Sequence, residues 1–234
     1  MCLSAEADLA AGVVVGVIAV DGVRHVRRPA QLPLAAVPIV LAVHQLVESL
    51  VWLGLESKLD ASVWEPALYA YLVVAFGLLP VLVPAGVAAL EPPEARRRMH
   101  AFTAIGCMVS LWLMYAVIRG PVVATVQERH IDYVVDLWQG GVVVALYVVA
   151  VCGPLLLSRY RHVRWFGAAN LVAAVLLAWT SERSFISLWC LWAAITSAAI
   201  VVHLRTPTEV GAEASAAGPE ALDADVAGGD SGRQ

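Results

Sequence analysis

Seven stretches of mainly apolar residues run through the chain between short polar breaks. Each is near the roughly 20 residues that a helix needs to cross a bilayer. They are Ala5–Val23, Leu32–Leu55, Trp64–Leu90, Met99–Ile118, Leu137–Leu157, Val163–Thr180 and Phe185–Leu204. The first is the least apolar, with Glu6 and Asp8 at its start and Asp21 near its end. The third contains Pro80 and Pro84, which predict a kink and carbonyls that neighbouring helices must satisfy. Only Ser181–Ser184 separates the sixth from the seventh, a tight helical hairpin.

One connection has a different period. Pro121–Asp136 alternates apolar with polar residues around Gln127–Arg129, which predicts a short β-hairpin lying as a lid over one end of the helices. Beyond Leu204 the pattern stops. Residues 206–234 are rich in Ala, Gly and acids, lack aromatics and carry net −5. Such a segment buries too little apolar surface to offset its ordering entropy, and it is expected to be disordered. The expected division is therefore a bundle over residues 1–205 and an acidic tail over 206–234. The fold class is an all-α membrane protein with seven transmembrane helices.

Composition supports this class. Apolar residues make up 60% of the 234 and charged residues 15%, too unbalanced for one soluble globular core. Four cysteines exclude a disulfide-dense secreted scaffold. A net charge of −4, with no long basic run, argues against nucleic-acid binding. The partner that the composition implies is the lipid bilayer; it points to no protein partner and no cofactor. Met1–Asp8 carries two acids and no basic residue, so it does not read as a secretory signal.

Loop charges set the orientation. Arg24, Arg27, Arg28, Arg96, Arg97, Arg98, Arg159, Arg161, Arg164 and Arg205 fall on one side of the seven segments, against Lys58, Arg119, Arg129 and Arg183 on the other. The positive-inside rule then places the N-terminus outside and the tail in the cytoplasm. Trp52, Trp64, Trp138, Trp179, Trp189 and Trp192 lie towards the outer ends, as an interfacial aromatic belt would.

Ionisable side chains inside hydrocarbon are the candidates for chemistry, because each costs about 2.5–3.5 kcal/mol to insert. His44 and Glu48 stand at i,i+4 on the second segment, and Trp52 continues their face. Depth matching suggests Ser110, Asn170 and Ser197 as neighbours of His44, and Tyr69, Ser187 and Cys190 as neighbours of Glu48. Cys2, Glu6, Asp8, His130, Asp132, Asp136 and Glu182 gather above them at the outer surface, like a cleft opening outward. The candidate ligand or proton site is His44, Glu48, Tyr69, His130 and Cys190. The competing reading is that His44 and Glu48 only cement the helices by hydrogen bonding. His25, His100, His162 and His203 fall at the opposite helix ends, where solvated interfacial roles fit them. Cys107 and Cys152 read as small core residues. Cys2 and Cys190 share the outer half, either paired or as two separate thiols. No motif for metal, phosphate or nucleophilic chemistry is present, and no metal site is expected.

The opening Met1-Cys2-Leu3-Ser4-Ala5, the run His44-Gln45-x-x-Glu48-x-x-x-Trp52, the segment His130-Ile131-x-Tyr133 and Ser187-Leu188-Trp189-Cys190 together resemble a bacterial family of multi-pass membrane proteins of unknown function. The resemblance covers roughly residues 1–204. It implies a polytopic protein of the bacterial inner membrane and directs attention to these four segments, but it implies no activity. Three classes stay open: a protein that binds or moves a small ligand, cation or proton through an outward cleft; a membrane-embedded, metal-dependent hydrolase-like enzyme; and a structural or assembly subunit. The orientation has a direct check. A reporter active only in the periplasm, fused after Leu204, is expected to give no signal; a strong signal overturns the topology.

Overall fold

The computed structural model describes residues 4–127, 130–179 and 186–205. Seven helices and one hairpin fill these residues: α1 (Ala5–Arg24), α2 (Leu32–Leu55), α3 (Ala61–Leu90), α4 (Pro93–Arg119), β1 (Val122–Gln127), β2 (His130–Val135), α5 (Gly140–Leu157), α6 (Arg161–Trp179) and α7 (Ile186–Arg205). The tail and the turn between α6 and α7 lie outside the described residues, as do Cys2 and the side chains of His130, His162, Cys190 and His203.

Local chemistry accounts for the helix ends. Ser4 caps α1 by accepting the Ala7 N–H at 3.3 Å, with Glu6 and Asp8 in the first turn and Arg24 in the last. Those charges complement the helix dipole. A short 3-10 turn, Pro29–Gln31, leads into α2. Pro93 opens α4 at the one helical position where its missing N–H costs nothing. That start adds Arg96–Arg98 and the residues before them to the expected Met99–Ile118. Gly120, at φ +59°, ends α4 in the left-handed region that favours glycine.

Among the described residues, four helical stretches are long and apolar enough to cross a membrane: Pro29–Leu55, Ala61–Leu90, Pro93–Arg119 and Gly140–Leu157. The chain is thus a helical protein with apolar spans of membrane length. α1 is a full helix of 20 residues whose buried face is narrow: Ala5, Asp8, Gly12, Val15, Ala19 and Gly22. This i+3/i+4 stripe of mostly small residues lets α1 lie close against α2 and α7. Successive helices pack in sequence, and α7 closes back on α1 and α2.

The proline-containing α3 is not simply kinked. Its middle, Val73–Leu78, is π-helical, and the Leu79 N–H reaches back to the Val74 carbonyl. Pro80 has no N–H to give to the turn before it, so the ladder widens there. Two neighbours bond carbonyls of this turn. Ser110 Oγ of α4 donates to the Gly77 carbonyl at 2.8 Å, and Tyr147 Oη of α5 to the Ala75 carbonyl at 2.9 Å. This is the re-satisfaction by neighbours that two prolines inside an apolar helix require.

β1 and β2 pair antiparallel, with Ala124 opposite Tyr133 and Val122 opposite Val135. Val122, Ala124, Ile131, Tyr133 and Val135 face the bundle and pack with Ala5, Val51, Trp52, Leu68, Leu72 and Val117. Val123, Val126 and Val134 are exposed. The expected hairpin is present, and period-two alternation sets its inward face; Val126, in register with Ile131 on that face, is nevertheless exposed near the turn.

Three expectations change at this level. Trp52 is buried in the core rather than lying in a belt, because it shares the inner face of α2 with His44 and Glu48. Cys107 is exposed, while Cys152 is buried as expected. Asp8 is fully buried rather than at the outer surface, because it falls on the packed stripe of α1.

The tightest helix contact is at Gly106 of α4. A Cβ there would stand 1.9 Å from the Pro80 carbonyl oxygen. Gly106→Ala is expected to cost about 1–3 kcal/mol or to push α3 and α4 apart. Gly141→Ala, with nothing within 4 Å of the added carbon, is expected to cost no stability. Thermal melts of the two variants in the same detergent separate the effects.

Candidate functional site

α2 is the central helix, and one side of it is polar. His44, Gln45, Glu48 and Ser49 are buried there with Val51 and Trp52. A helix this apolar has no reason to bury four polar side chains unless its neighbours supply their partners. Three elements do so.

The first is α3. The Tyr71 ring stacks on the His44 ring with centroids 4.1 Å apart and planes 14° off parallel. The second is the hairpin. Tyr133 of β2 stacks on the far face of Tyr71 at 4.5 Å and 21°. His44, Tyr71 and Tyr133 therefore form a three-ring ladder from the middle of α2 to the hairpin. The Tyr71 and Tyr133 hydroxyls both face the Glu48 carboxyl. The Tyr133 hydroxyl faces it without completing a hydrogen bond. The third element is α1. Asp8 lies within electrostatic reach of Glu48, and the Trp52 indole faces the Asp8 carboxyl.

The arrangement is an acid-rich centre ringed by aromatic donors. Ser49 stays outside it, donating to the Leu46 carbonyl of its own helix at 2.7 Å. Among the described residues, Glu48 takes part in none of the ion pairs, which join Asp21 to His25 and Arg205, and Glu56 to Lys58. Buried atoms with no hydrogen-bond partner include His44 Nδ1, Glu48 Oε2 and Tyr133 Oη. Native cores leave few buried polar atoms unpaired, so three of them near one another set this place apart from the rest of the described core. Tyr133 lies on the hairpin, outside the spanning helices. Its burial, and then the Glu48 carboxyl, hold its hydroxyl well above the usual phenol range, so it remains a donor at all ordinary pH. No group of three or more His, Cys, Asp or Glu gathers as metal ligands among the described residues.

A family profile matches residues 1–216. The chain belongs to DUF6629, a family of unknown function. The membership covers the whole helical region and agrees with the resemblance to a family of unknown function. No curated protein and no solved structure matches the chain.

Of the five expected site residues, His44 and Glu48 are at the centre. Tyr69 is not: it is 48% exposed, because two positions along a helix turn its side chain to nearly the opposite face from Tyr71. His130 is paired with Gln127 at the turn end of the hairpin, and Cys190 is on α7; the side chains of both lie outside the described residues. Two suggested neighbours bond elsewhere, Ser110 to Gly77 and Asn170 to the Phe166 carbonyl of its own helix. Sequence reasoning passed over Asp8, Tyr71 and Tyr133 as site residues. The i+3/i+4 stripe on α1 pointed to Asp8, and the alternation of Ile131, Tyr133 and Val135 pointed to Tyr133. Nothing local distinguished Tyr71 from Tyr69.

The ladder predicts unequal effects for the two tyrosines. Tyr71→Ala removes the ring held between two others and is expected to cost about 3–5 kcal/mol, the range for a buried aromatic. Tyr69→Ala is expected to cost less than about 1 kcal/mol. Chemical or thermal unfolding in detergent reads both, and equal losses would disprove the ladder.

Proposed function

We propose that this protein is a seven-helix protein of the bacterial inner membrane, with the N-terminus outside and an acidic tail in the cytoplasm, and that its outer half binds a proton or a small cation at Glu48. One observation carries the reading: the Glu48 carboxyl is buried within electrostatic reach of a second buried carboxyl, Asp8, and ion-pairs with no Lys or Arg among the described residues. Two carboxylates that feel each other in low dielectric repel and are poorly hydrated. The centre is relieved when a proton or a cation joins it. Tyr71 and Tyr133 then donate to the remaining negative charge, and the titration of Asp8 and Glu48 belongs to the pair rather than to one residue.

His44 fits as the inner member of this centre. Its Nδ1 is unpartnered, and its ring is fixed against Tyr71. The hairpin carries Tyr133, so any movement of β1–β2 away from the bundle would remove a ring and a donor and admit water to Glu48. That supports the expected lid role. Proton-linked binding suits these groups better than nucleophilic catalysis, since among the described residues no Ser or Cys stands activated beside a base in the cluster.

Infrared spectroscopy tests the assignment. At neutral pH the protein is expected to show a protonated-carboxyl stretching band that Glu48→Gln removes and Tyr71→Phe shifts. Glu48→Gln preserves shape and is expected to change stability by less than about 1 kcal/mol. Should the band be absent from the wild type, with cation addition leaving the carboxylate bands unmoved, the reading fails. Loss of stability in Glu48→Gln with an unchanged spectrum would show that Glu48 only cements the helices.

A further inference from the structure

A second feature lies far along the chain from Glu48, where α3 ends and α4 begins. A cavity of about 320 Å³ opens there to the surface. Ala85, Ala88 and Ala89 line one wall, at i, i+3 and i+4 of α3; Arg96, His100 and Thr103 line the other, at i, i+4 and i+7 of α4; Ala30 closes one side. Each set occupies a single helix face. One wall is thus smooth and apolar, while the other bears a guanidinium, an imidazole and a hydroxyl.

The nearby acids do not pair with the cationic wall: Glu94, in the first turn of α4, joins no ion pair among the described residues. Glu91 is buried and turned away, its Oε1 accepting from Ser158 Oγ at 2.6 Å and from the Arg159 N–H at 2.9 Å. Its backbone carbonyl instead accepts from Arg96 Nη2 at 3.2 Å, which anchors the guanidinium at the rim with its other N–H groups free to turn towards the cavity. Arg97 and Arg98 are exposed alongside, and Arg27 and Arg28 precede the turn that carries Ala30.

An occupant must therefore be anionic at one end and apolar at the other. It must also reach the cavity from the Arg-rich ends of two helices of membrane length. We propose that this cavity binds an anionic phospholipid, its phosphate held by Arg96 and His100 and its glycerol and upper acyl chain lying along Ala85 and Ala89. Arginine suits the phosphate because its planar fork donates two parallel hydrogen bonds to one anionic group. The alanine face lets a chain lie close to the helix, where a larger side chain would fill the space. This site is separate from Glu48 and stands or falls without it.

Native mass spectrometry of the full chain in detergent, given equal phosphatidylglycerol and phosphatidylcholine, tests the proposal. The wild type is expected to retain phosphatidylglycerol preferentially. Arg96→Ala combined with His100→Ala is expected to cut that retention at least about five-fold, the scale of one basic contact to an anionic lipid. Ala89→Leu, which fills the cavity and keeps both Arg96 and His100, is expected to cut it similarly. Arg119→Ala, at the other end of α4, serves as the control and is expected to leave it unchanged. Equal retention of the two lipids overturns the proposal, as does undiminished retention in either cavity variant. An excess of inorganic phosphate is expected to leave the lipid in place; its replacement by bound phosphate would show a free-anion site and overturn the lipid assignment. Matching melting temperatures for the wild type and variants confirm that each loss reflects the cavity rather than the fold.

Discussion

A polar group in hydrocarbon has no water to turn to, and most of this structure follows from that. The constraint is visible twice on α3. Pro80 disrupts the ladder, the chain widens to a π turn, and hydroxyls from α4 and α5 bond the Gly77 and Ala75 carbonyls. Those two bonds fix the rotation of three helices about one another. The same rule acts on α2, where buried His44 and Glu48 draw Tyr71, Tyr133, Asp8 and Trp52 around them.

Close approach makes this possible. Apolar side chains gain little from leaving lipid for a helix interface, so contact must come from shape. Gly12 fits beneath Leu46, Gly106 rests on the Pro80 carbonyl, and Gly22 admits Val201. The stripe that brings α1 against α2 is also what carries Asp8 to Glu48. Packing and candidate chemistry are therefore two consequences of one helix face.

The hairpin joins the apolar core to the acidic centre. Its inward residues complete the apolar cluster around Trp52 and Leu72, and one of them, Tyr133, reaches the acidic centre. Its two strands bond each other along their inner edges, and its inward side chains cover an apolar surface of the bundle. The second polar cluster, Glu91 with Ser158 and Arg159, ties the α3–α4 connection to the α5–α6 connection. It leaves the neighbouring Arg96 wall cationic.

The sequence by itself determined the seven helices to within a few residues, the hairpin, and the pairing of His44 with Glu48 on one face. These depend on period and local chemistry: apolar runs of membrane length, alternation over Pro121–Asp136, and i,i+4 spacing. It also placed the chain in its family class. Tertiary structure decided what surrounds Glu48. Tyr69 and Tyr71 are equivalent by depth and composition, and only the rotation of α3 selects Tyr71. Asp8 reads as a surface acid until α1 is seen to pack through its small residues. Trp52 reads as part of an aromatic belt until α2 is seen to be central. Rotation about a helix axis and the order of helices around a bundle arise from contacts distant in the chain, which is why local pattern found the two ionisable residues and left most of their partners to the fold.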